Sequence, residues 1–177
     1  MDRLKLSARE YAVLTLHRPS NVDSAASLAG IVEALDAIQK DLPVIFPAHP
    51  RAWKGIEAAG FSERLDRMPR LRAMAPLGYL DFMKLMSSAR LVLTDSGGIQ
   101  EETTILGVPC LTLRANTERP VTVEMGTNRL VGSSREGILE GYRGITARSR
   151  EGAVMPPLWD GRAAERIARI VPEALRV

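Results

Sequence analysis

Short apolar runs and longer amphipathic segments alternate along the chain, and this alternation predicts its secondary structure. Runs rich in aliphatic residues predict six strands, at residues 11–16, 43–47, 71–75, 91–94, 110–113 and 128–131. Elsewhere apolar residues recur at helical spacing, in segments 27–39, 52–59, 80–86, 97–106, 120–125, 136–146 and 160–175. Strands that alternate with helices of this length favour a doubly wound α/β fold, whose mostly parallel sheet is covered on both faces.

Length and composition are those of one ordinary globular domain. The chain has 177 residues, of which 45% are apolar and 25% charged, and this excludes disordered and collagen-like classes. We assign residues 1–10 to a linker-like N-terminal segment and residues 11–177 to one domain. The single cysteine, Cys110, cannot form an internal disulfide, and we expect its side chain to be buried. A reducing compartment is consistent with this cysteine usage. No signal-peptide core and no run of about 18 apolar residues occurs, so we expect a soluble, cytoplasmic protein.

Charge and histidine count narrow the range of ligands. The net charge of +3 comes from 24 basic and 21 acidic residues spread along the chain, without the basic and aromatic clusters typical of nucleic-acid binding. We therefore expect neither a nucleic acid nor a membrane as a partner. The two histidines, His17 and His49, and one cysteine are too few ligands for a metal site, and we expect no cofactor.

Polar clusters follow four of the predicted strands. His17 and Arg18 come after the first strand, residues 49–51 after the second, 95–98 after the fourth and 114–119 after the fifth. In doubly wound sheets, ligands bind beyond the carboxyl ends of the strands, near the point where strand order reverses. The sequence therefore predicts one ligand site to which all four clusters contribute.

The turn after the fourth strand, Asp-Ser-Gly-Gly at residues 95–98, opens a predicted helix. Unpaired N–H groups and the positive end of the helix dipole meet there, and Gly97 and Gly98 allow a phosphate to approach the backbone. Glu102 is placed to accept hydrogen bonds from a ribose diol, which indicates a nucleotide. Taken alone, the turn fits more simply an ordinary connection with Ser96 as the N-cap. It lacks the Lys-Ser/Thr of a Walker A loop, and no Gly-x-Gly-x-x-Gly follows the first strand, which argues against ATP hydrolysis and NAD binding.

Arginines and a histidine add to the candidate anion site. Arg114 and Arg119 would give a diphosphate charge-assisted, bidentate hydrogen bonds. The alternative is a solvent-exposed loop with an ordinary Glu-Arg pair. Arg18 beside His17 favours a neutral imidazole that can accept a proton near neutral pH, whereas the alternative is a hydrogen-bonding surface histidine. Ser96 lacks the nucleophile-elbow spacing, so no Ser-His-Asp triad is supported.

Four segments resemble the C-terminal half of the non-hydrolysing UDP-N-acetylglucosamine 2-epimerases. They are Leu-Thr-Leu-His-Arg-Pro-Ser-Asn-Val-Asp at 14–23, Phe-Pro-Ala-His-Pro-Arg at 46–51, Asp-Ser-Gly-Gly-Ile-Gln-Glu-Glu at 95–102 and Thr-Glu-Arg-Pro at 117–120. Their order and spacing are similar to those of the family, and the block at 95–102 is the most specific. The resemblance implies a glycosyltransferase-B-like fold of two Rossmann-like domains, of which residues 11–177 would be the second, UDP-binding one.

The resemblance also implies roles for the residues that follow the strands. Ser96, Gly97 and Gly98 would hold the diphosphate of UDP. Glu102 would bind the ribose hydroxyls, and Phe82 would lie near the uracil. The arginines would lie near the phosphates and the sugar. The implied UDP-binding positions are Arg18, Phe82, Ser96, Gly97, Gly98, Glu102, Arg114 and Arg119.

Both histidines match histidines of that family. His17 would lie beside the leaving diphosphate and is the catalytic candidate. His49 would lie at the interdomain cleft, where bacterial members bind a regulatory UDP-N-acetylglucosamine. The family reaction interconverts UDP-N-acetylglucosamine and UDP-N-acetylmannosamine by eliminating UDP and adding it back with inversion at carbon 2.

Two departures from the family limit the expected activity. The carboxylates thought to move the protons lie in the family's N-terminal domain, to which this sequence has no matching segment, and Ser20 stands where the family often has a glutamate. We expect UDP and UDP-N-acetylglucosamine as ligands, an N-terminal Rossmann-like domain in cis or in trans as a partner, a possible homodimer, and little turnover by this chain alone. The alternatives are a non-catalytic UDP-sugar sensor or assembly partner, and a glycosyltransferase-B-type transferase domain.

Overall fold

The computed structural model describes residues 5–147 and 155–174. Its centre is a parallel sheet of six strands, namely β1 (Ala12–Thr15), β2 (Val44–Pro47), β3 (Leu71–Met74), β4 (Leu91–Thr94), β5 (Cys110–Thr112) and β6 (Asn128–Leu130). The strand order is β3-β2-β1-β4-β5-β6, so the chain builds outward from β1 and then returns to build outward from β4. The predicted doubly wound α/β fold is confirmed, and the strand order reverses between β1 and β4.

The helices agree with most of the predicted segments. They are α1 (Pro19–Val22), α2 (Ala25–Asp41), α3 (Pro50–Ala58), α4 (Ser62–Asp66), α5 (Tyr79–Ser87), α6 (Gly97–Leu106), α7 (Pro120–Glu124), α8 (Arg135–Ala147) and α9 (Ala163–Ala174).

The differences from the predicted helices are short and local. The loop predicted after β1 contains the single turn α1, which begins at Pro19, where the missing N–H costs no hydrogen bond. α4 has no counterpart in the predicted segments, and α3 begins at Pro50 inside a predicted loop. α9 begins at Ala163, later than predicted, and the predicted end at Leu175 lies outside the described residues.

Residues along each strand alternate between two cores, one on each face of the sheet. Ala12 and Leu14 pack in a cluster with residues of α2, α3 and α8. Tyr11 and Val13 pack in a second cluster with residues of α5 and the partly buried side of α6. Cys110 is fully buried, and burial raises the pKa of its thiol to about 11. The sheet is therefore covered on both faces, as a parallel sheet requires.

α9 differs from the helices that cover the sheet because its apolar residues are exposed. Ile167, Ile170 and Val171 share one side of the helix, and Met155 and Leu158 precede it, all five exposed to solvent. Within the two described ranges, no helix combines the length and hydropathy that a membrane span needs. The stripe on α9 is an apolar surface that the described chain leaves uncovered.

Candidate functional site

The carboxyl ends of β1 and β4 bring two distant segments of the chain together. Their register pairs Ala12 with Leu91 and Thr15 with Thr94. The hydroxyls of the two threonines are 2.7 Å apart, although these residues are 79 positions apart in sequence. The segment after β1 therefore lies against the segment after β4, at the place where the strand order reverses.

A cleft of about 200 Å³ opens at this junction. Four of the sequence-predicted residues line it, His17, His49, Phe82 and Ser96. They come from the ends of β1, β2 and β4 and from α5, so the topology collects them from four separate stretches of sequence. Three of the four polar clusters contribute to the lining of this cleft, whereas residues 114–119 do not.

Asp95 fixes the position of His17. Its fully buried carboxylate accepts hydrogen bonds from the backbone N–H groups of His17 at 3.1 Å and Arg18 at 3.0 Å, and from Asn21 Nδ2 at 3.2 Å. His17 Nδ1 lies 2.9 Å from Asp95 Oδ1. Burial by itself raises the pKa of Asp95, but the hydrogen bonds from His17 and Arg18 lower it, and the net pKa is below its usual value. With Nδ1 held by a carboxylate, Nε2 is the ring nitrogen left to meet a ligand.

The contact between Asp95 and His17 is not among the features predicted from the sequence, where Asp95 is only part of the turn. A signal for the contact is present, because an acid follows the buried strand β4 and a histidine follows the buried strand β1. Parallel neighbours in a sheet bring such positions together. The missing information is that β1 and β4, rather than β1 and β2 alone, are neighbours.

The start of α6 is not capped in the ordinary way. Ser96 is the N-cap residue, but its hydroxyl makes no capping hydrogen bond to any described backbone N–H. Instead the Ser96 N–H donates to Thr94 Oγ1 at 3.0 Å. The N–H groups of the first turn therefore remain available to a ligand, and the simpler hypothesis of a serine-capped turn is wrong in this detail.

Neither glycine of the turn is required by the backbone or by packing. Gly97 and Gly98 are helical residues, and neither is among the described glycines with positive φ. A β-carbon at Gly98 would meet no described atom within 4 Å. Because a side chain would fit there, what a glycine adds at Gly98 is room beside the helix start, which suits the close approach of an anion.

The arginines in the loop after β5 are paired with glutamates. Arg114 donates to both carboxylate oxygens of Glu118, at 2.7 and 2.8 Å, and these hydrogen bonds hold the pKa of Glu118 at about 2. Arg119 Nε lies 2.7 Å from Glu101 Oε1. The loop thus contains the Glu-Arg pair of the alternative interpretation, and the same loop lies beside the start of α6.

Gln100, a residue with no predicted role, connects α6 to this loop. Its fully buried side chain accepts hydrogen bonds from Thr117 Oγ1 at 2.5 Å and Asn128 Nδ2 at 3.0 Å. Thr117 Oγ1 in turn accepts from the Arg119 N–H at 2.9 Å. The network holds the loop between β5 and α7 against the helix that begins at Gly97.

Glu102 lies farther along α6 and faces α5. Its carboxylate is hydrogen-bonded to the hydroxyl of Tyr79, and burial, the larger influence, raises the pKa of Glu102. Tyr79 and Phe82 both belong to α5, so Glu102 contacts the helix that carries Phe82, although Glu102 itself does not line the cleft.

His49 is the N-cap of α3, and its Nδ1 accepts a hydrogen bond from the Arg51 N–H at 3.2 Å. A larger and more apolar cleft, of about 630 Å³, lies next to it between α3 and the end of β3, with Trp53 and Met74 in its lining. That cleft contains none of the sequence-predicted site residues, so the larger cleft is not the one that the sequence predicts. Among residues 5–147 and 155–174, no group of three or more His, Cys, Asp or Glu side chains is arranged to hold a metal.

Comparison with known proteins adds an independent line of evidence. Residues 1–172 match a family model described as UDP-N-acetylglucosamine 2-epimerase. A protein of that name from Methanocaldococcus jannaschii is 42% identical over 164 residues, which are 92% of this chain and 44% of the relative. A UDP-2,3-diacetamido-2,3-dideoxy-D-glucuronate 2-epimerase from Pseudomonas aeruginosa is 42% identical over 134 residues, 75% of this chain and 36% of the relative.

Solved structures give the same result. The crystal structure of the Methanocaldococcus jannaschii UDP-GlcNAc 2-epimerase in complex with UDP-GlcNAc and UDP is similar with a TM-score of 0.85 at 41% identity. The match covers 94% of this chain and 46% of that one. The present chain therefore spans less than half the length of these similar proteins.

Proposed function

The chain belongs to the UDP-N-acetylglucosamine 2-epimerase family, and on that premise we propose that it is the nucleotide-sugar-binding domain of such an enzyme. One observation carries the proposal: His17, fixed by buried Asp95, lies in the same cleft as Ser96, the uncapped start of α6. A positioned imidazole beside unpaired helix N–H groups suits a departing diphosphate.

Each of the implied UDP-binding residues has a role in this proposal. The first-turn N–H groups of Gly97 and Gly98 bind the diphosphate, together with the Ser96 hydroxyl, which makes no capping hydrogen bond to a described N–H. Three arginines, a glutamate and a phenylalanine complete the UDP site, with the arginines at the phosphates and sugar, the glutamate at the ribose hydroxyls and the phenylalanine beside the uracil. These residues are Arg18, Arg114, Arg119, Glu102 and Phe82. The geometric support is that Phe82 lines the cleft, that Arg18 lies beside Gly97, and that Arg114 shares a glutamate with Arg18.

The proposed reaction breaks the bond between sugar carbon 1 and the UDP oxygen while a proton leaves carbon 2. The electrons of the carbon–hydrogen bond form a double bond between carbons 1 and 2, and UDP departs with the electrons of the broken bond. Adding UDP to carbon 1 and a proton to the opposite face of carbon 2 gives the epimer. In this step His17 acts as the imidazolium, with Nδ1–H on Asp95 and Nε2–H donated to the departing diphosphate. It stabilises the charge on the diphosphate together with the helix dipole.

The proton at carbon 2 is assigned to groups of a second domain, in cis or in trans. The exposed stripe of Ile167, Ile170 and Val171 on α9 supports such a partner, since apolar patches of this kind mark interaction sites. We therefore also propose that the chain alone binds UDP and UDP-N-acetylglucosamine but turns over little, and that residues 1–10 serve as a linker.

Calorimetry with UDP and UDP-N-acetylglucosamine tests the binding proposal. We expect saturable heat for both, and no detectable heat at millimolar ligand would contradict it. The UDP-2,3-diacetamido-2,3-dideoxy-D-glucuronate 2-epimerase from Pseudomonas aeruginosa is as identical to this chain, at 42%, as the UDP-N-acetylglucosamine 2-epimerase from Methanocaldococcus jannaschii. UDP-2,3-diacetamido-2,3-dideoxy-D-glucuronate is therefore needed as a third ligand. Weaker binding of that ligand supports the glucosamine assignment, and tighter binding replaces it.

An epimerase assay tests the division of labour. The purified chain is assayed alone and after addition of the N-terminal half of a relative. We expect turnover only in the mixture, because the chain alone lacks an assigned group for the proton at carbon 2. Turnover by the chain alone would remove the need for a second domain.

A further inference from the structure

Glu118 makes contacts with two arginines of the candidate site, Arg114 and Arg18. It accepts two hydrogen bonds from Arg114, and its Oε1 lies 3.6 Å from Arg18 Nη2. The two partners differ in freedom, because the side chain of Arg114 is 11% exposed whereas that of Glu118 is 51% exposed. The cation is fixed in the protein, and the anion is free to turn toward solvent.

The same carboxylate lies beside the first turn of α6. A β-carbon built on Gly97 would be 3.8 Å from Glu118 Oε2 and 3.9 Å from Arg18 Nη2. Arg18 Nε is buried and has no hydrogen-bond partner among the described residues. Two guanidinium groups and the start of a helix therefore surround one carboxylate, which is the arrangement that a phosphate would also take.

We propose that Glu118 is an internal competitor for the diphosphate and thereby a determinant of ligand selectivity, a step that rests on the proposed function. In the free protein the carboxylate of Glu118 is paired with Arg114 and Arg18. A terminal phosphate, with a charge of about −1.5 to −2 and three acceptor oxygens, displaces it, and the carboxylate turns to solvent.

This exchange explains how a site with two closely placed arginines avoids binding any available anion. Arg114 keeps an acceptor in both states, so its nearly buried cation is never left without a partner. A ligand gains only by the amount that it outcompetes the carboxylate, which a diphosphate does better than a singly charged ion. The pKa of Glu118, held at about 2 by Arg114, keeps the carboxylate charged at ordinary pH, so only a competing anion releases the arginines.

Calorimetry on Glu118→Gln, with UDP, inorganic pyrophosphate and uridine as ligands, tests the proposal. We expect UDP and pyrophosphate to bind more tightly, by up to about fivefold, since an exposed ion pair is lost from the free state only. Uridine, which has no phosphate, should bind as it does to the wild type. Glu165→Gln removes the same charge from an exposed ion pair between Glu165 of α9 and Arg162, the residue before that helix. It is the matched control and should change the binding of none of the three ligands.

The outcomes separate this proposal from the proposed function. Wild-type protein that binds no UDP at millimolar concentration contradicts the proposed function itself. Wild-type protein that binds UDP, with Glu118→Gln binding it equally or more weakly, overturns the competitor role. Glu118→Ala adds an independent check, because a residue that merely positions Arg114 gives weaker UDP binding in both variants.

Discussion

The two sides of the candidate site are built in different ways. On the histidine side, formed by His17, Asn21 and Asp95, the carboxylate is fully buried and accepts hydrogen bonds from backbone and side chain. On the arginine side, formed by Arg18, Arg114, Arg119 and the glutamates that hold them, the anionic partners are about half exposed, as with Glu118 at 51%. Buried groups set positions, whereas exposed ion pairs contribute little stability and exchange readily.

The difference indicates how the site divides its work. The histidine side keeps one geometry whether or not a ligand is bound, since moving Asp95 would leave several buried donors without an acceptor. In the proposal, the arginine side changes partners when an anion binds. The start of α6, with Ser96, Gly97 and Gly98, is the part that we propose contacts the ligand.

The largest expected effect is on stability, at Asp95. Asp95→Asn places an amide NH₂ among N–H donors and removes the charge that faces His17, so we expect a loss of about 3 kcal/mol in the free energy of unfolding. Urea denaturation followed by circular dichroism measures it. Glu118→Gln is the comparison from the arginine side and should cost much less. Equal losses in the two variants would show that the sides are alike.

The pH dependence of that loss sharpens the comparison. The pKa of Asp95 in the folded protein is below its ordinary value of 3.8, so the unfolded chain takes up the proton at the higher pH. Its stabilising contribution is therefore complete above the ordinary pKa and is lost as the pH falls toward the folded pKa. The difference in stability between wild type and Asp95→Asn should shrink as the pH falls from about 5 to about 3. A difference that stays constant would contradict the assigned cause.

An intermediate effect is expected at the shared helix start. Gly98→Ala adds a methyl group where no described atom lies within 4 Å, so we expect stability to be unchanged or raised by up to about 1 kcal/mol. UDP affinity should fall about tenfold, because the methyl group keeps a phosphate from the N–H groups. Calorimetry and thermal denaturation on one sample measure both. Unchanged UDP affinity would remove the anion role from this turn.

The smallest expected effect on stability is at Ser96. Replacing an N-cap serine by alanine ordinarily costs about 1 kcal/mol, but this hydroxyl makes no capping bond to a described N–H. We expect Ser96→Ala to lose less than about 0.5 kcal/mol in urea denaturation, while UDP binding weakens. A loss of the ordinary size would restore the simple view of a capped turn.

The sequence predicts the fold well because its strands are short, strongly apolar and separated by clear breaks. The misses α1 and α4 have four and five residues, too few for a helical period to show. α1 also begins at Pro19, a residue that equally predicts a loop.

The candidate site is predictable in its location but not in its pairings. Loops that follow parallel strands lie at the same edge of the sheet whatever the strand order. The clusters around His17 and Gly97 could therefore be placed together. The contact of His17 with Asp95 depends on β1 lying next to β4, and that of Thr117 with Gln100 depends on how one loop packs on α6. Such contacts follow from tertiary structure and leave no periodic signal in the sequence.

We propose above all that the backbone at the start of α6 binds the diphosphate of UDP. Amide NMR of the ¹⁵N-labelled chain tests it most directly, with UDP and uridine titrated in parallel. We expect the N–H signals of Gly97 and Gly98 to shift with UDP and to stay in place with uridine. Saturable UDP binding that leaves both signals unmoved would contradict it.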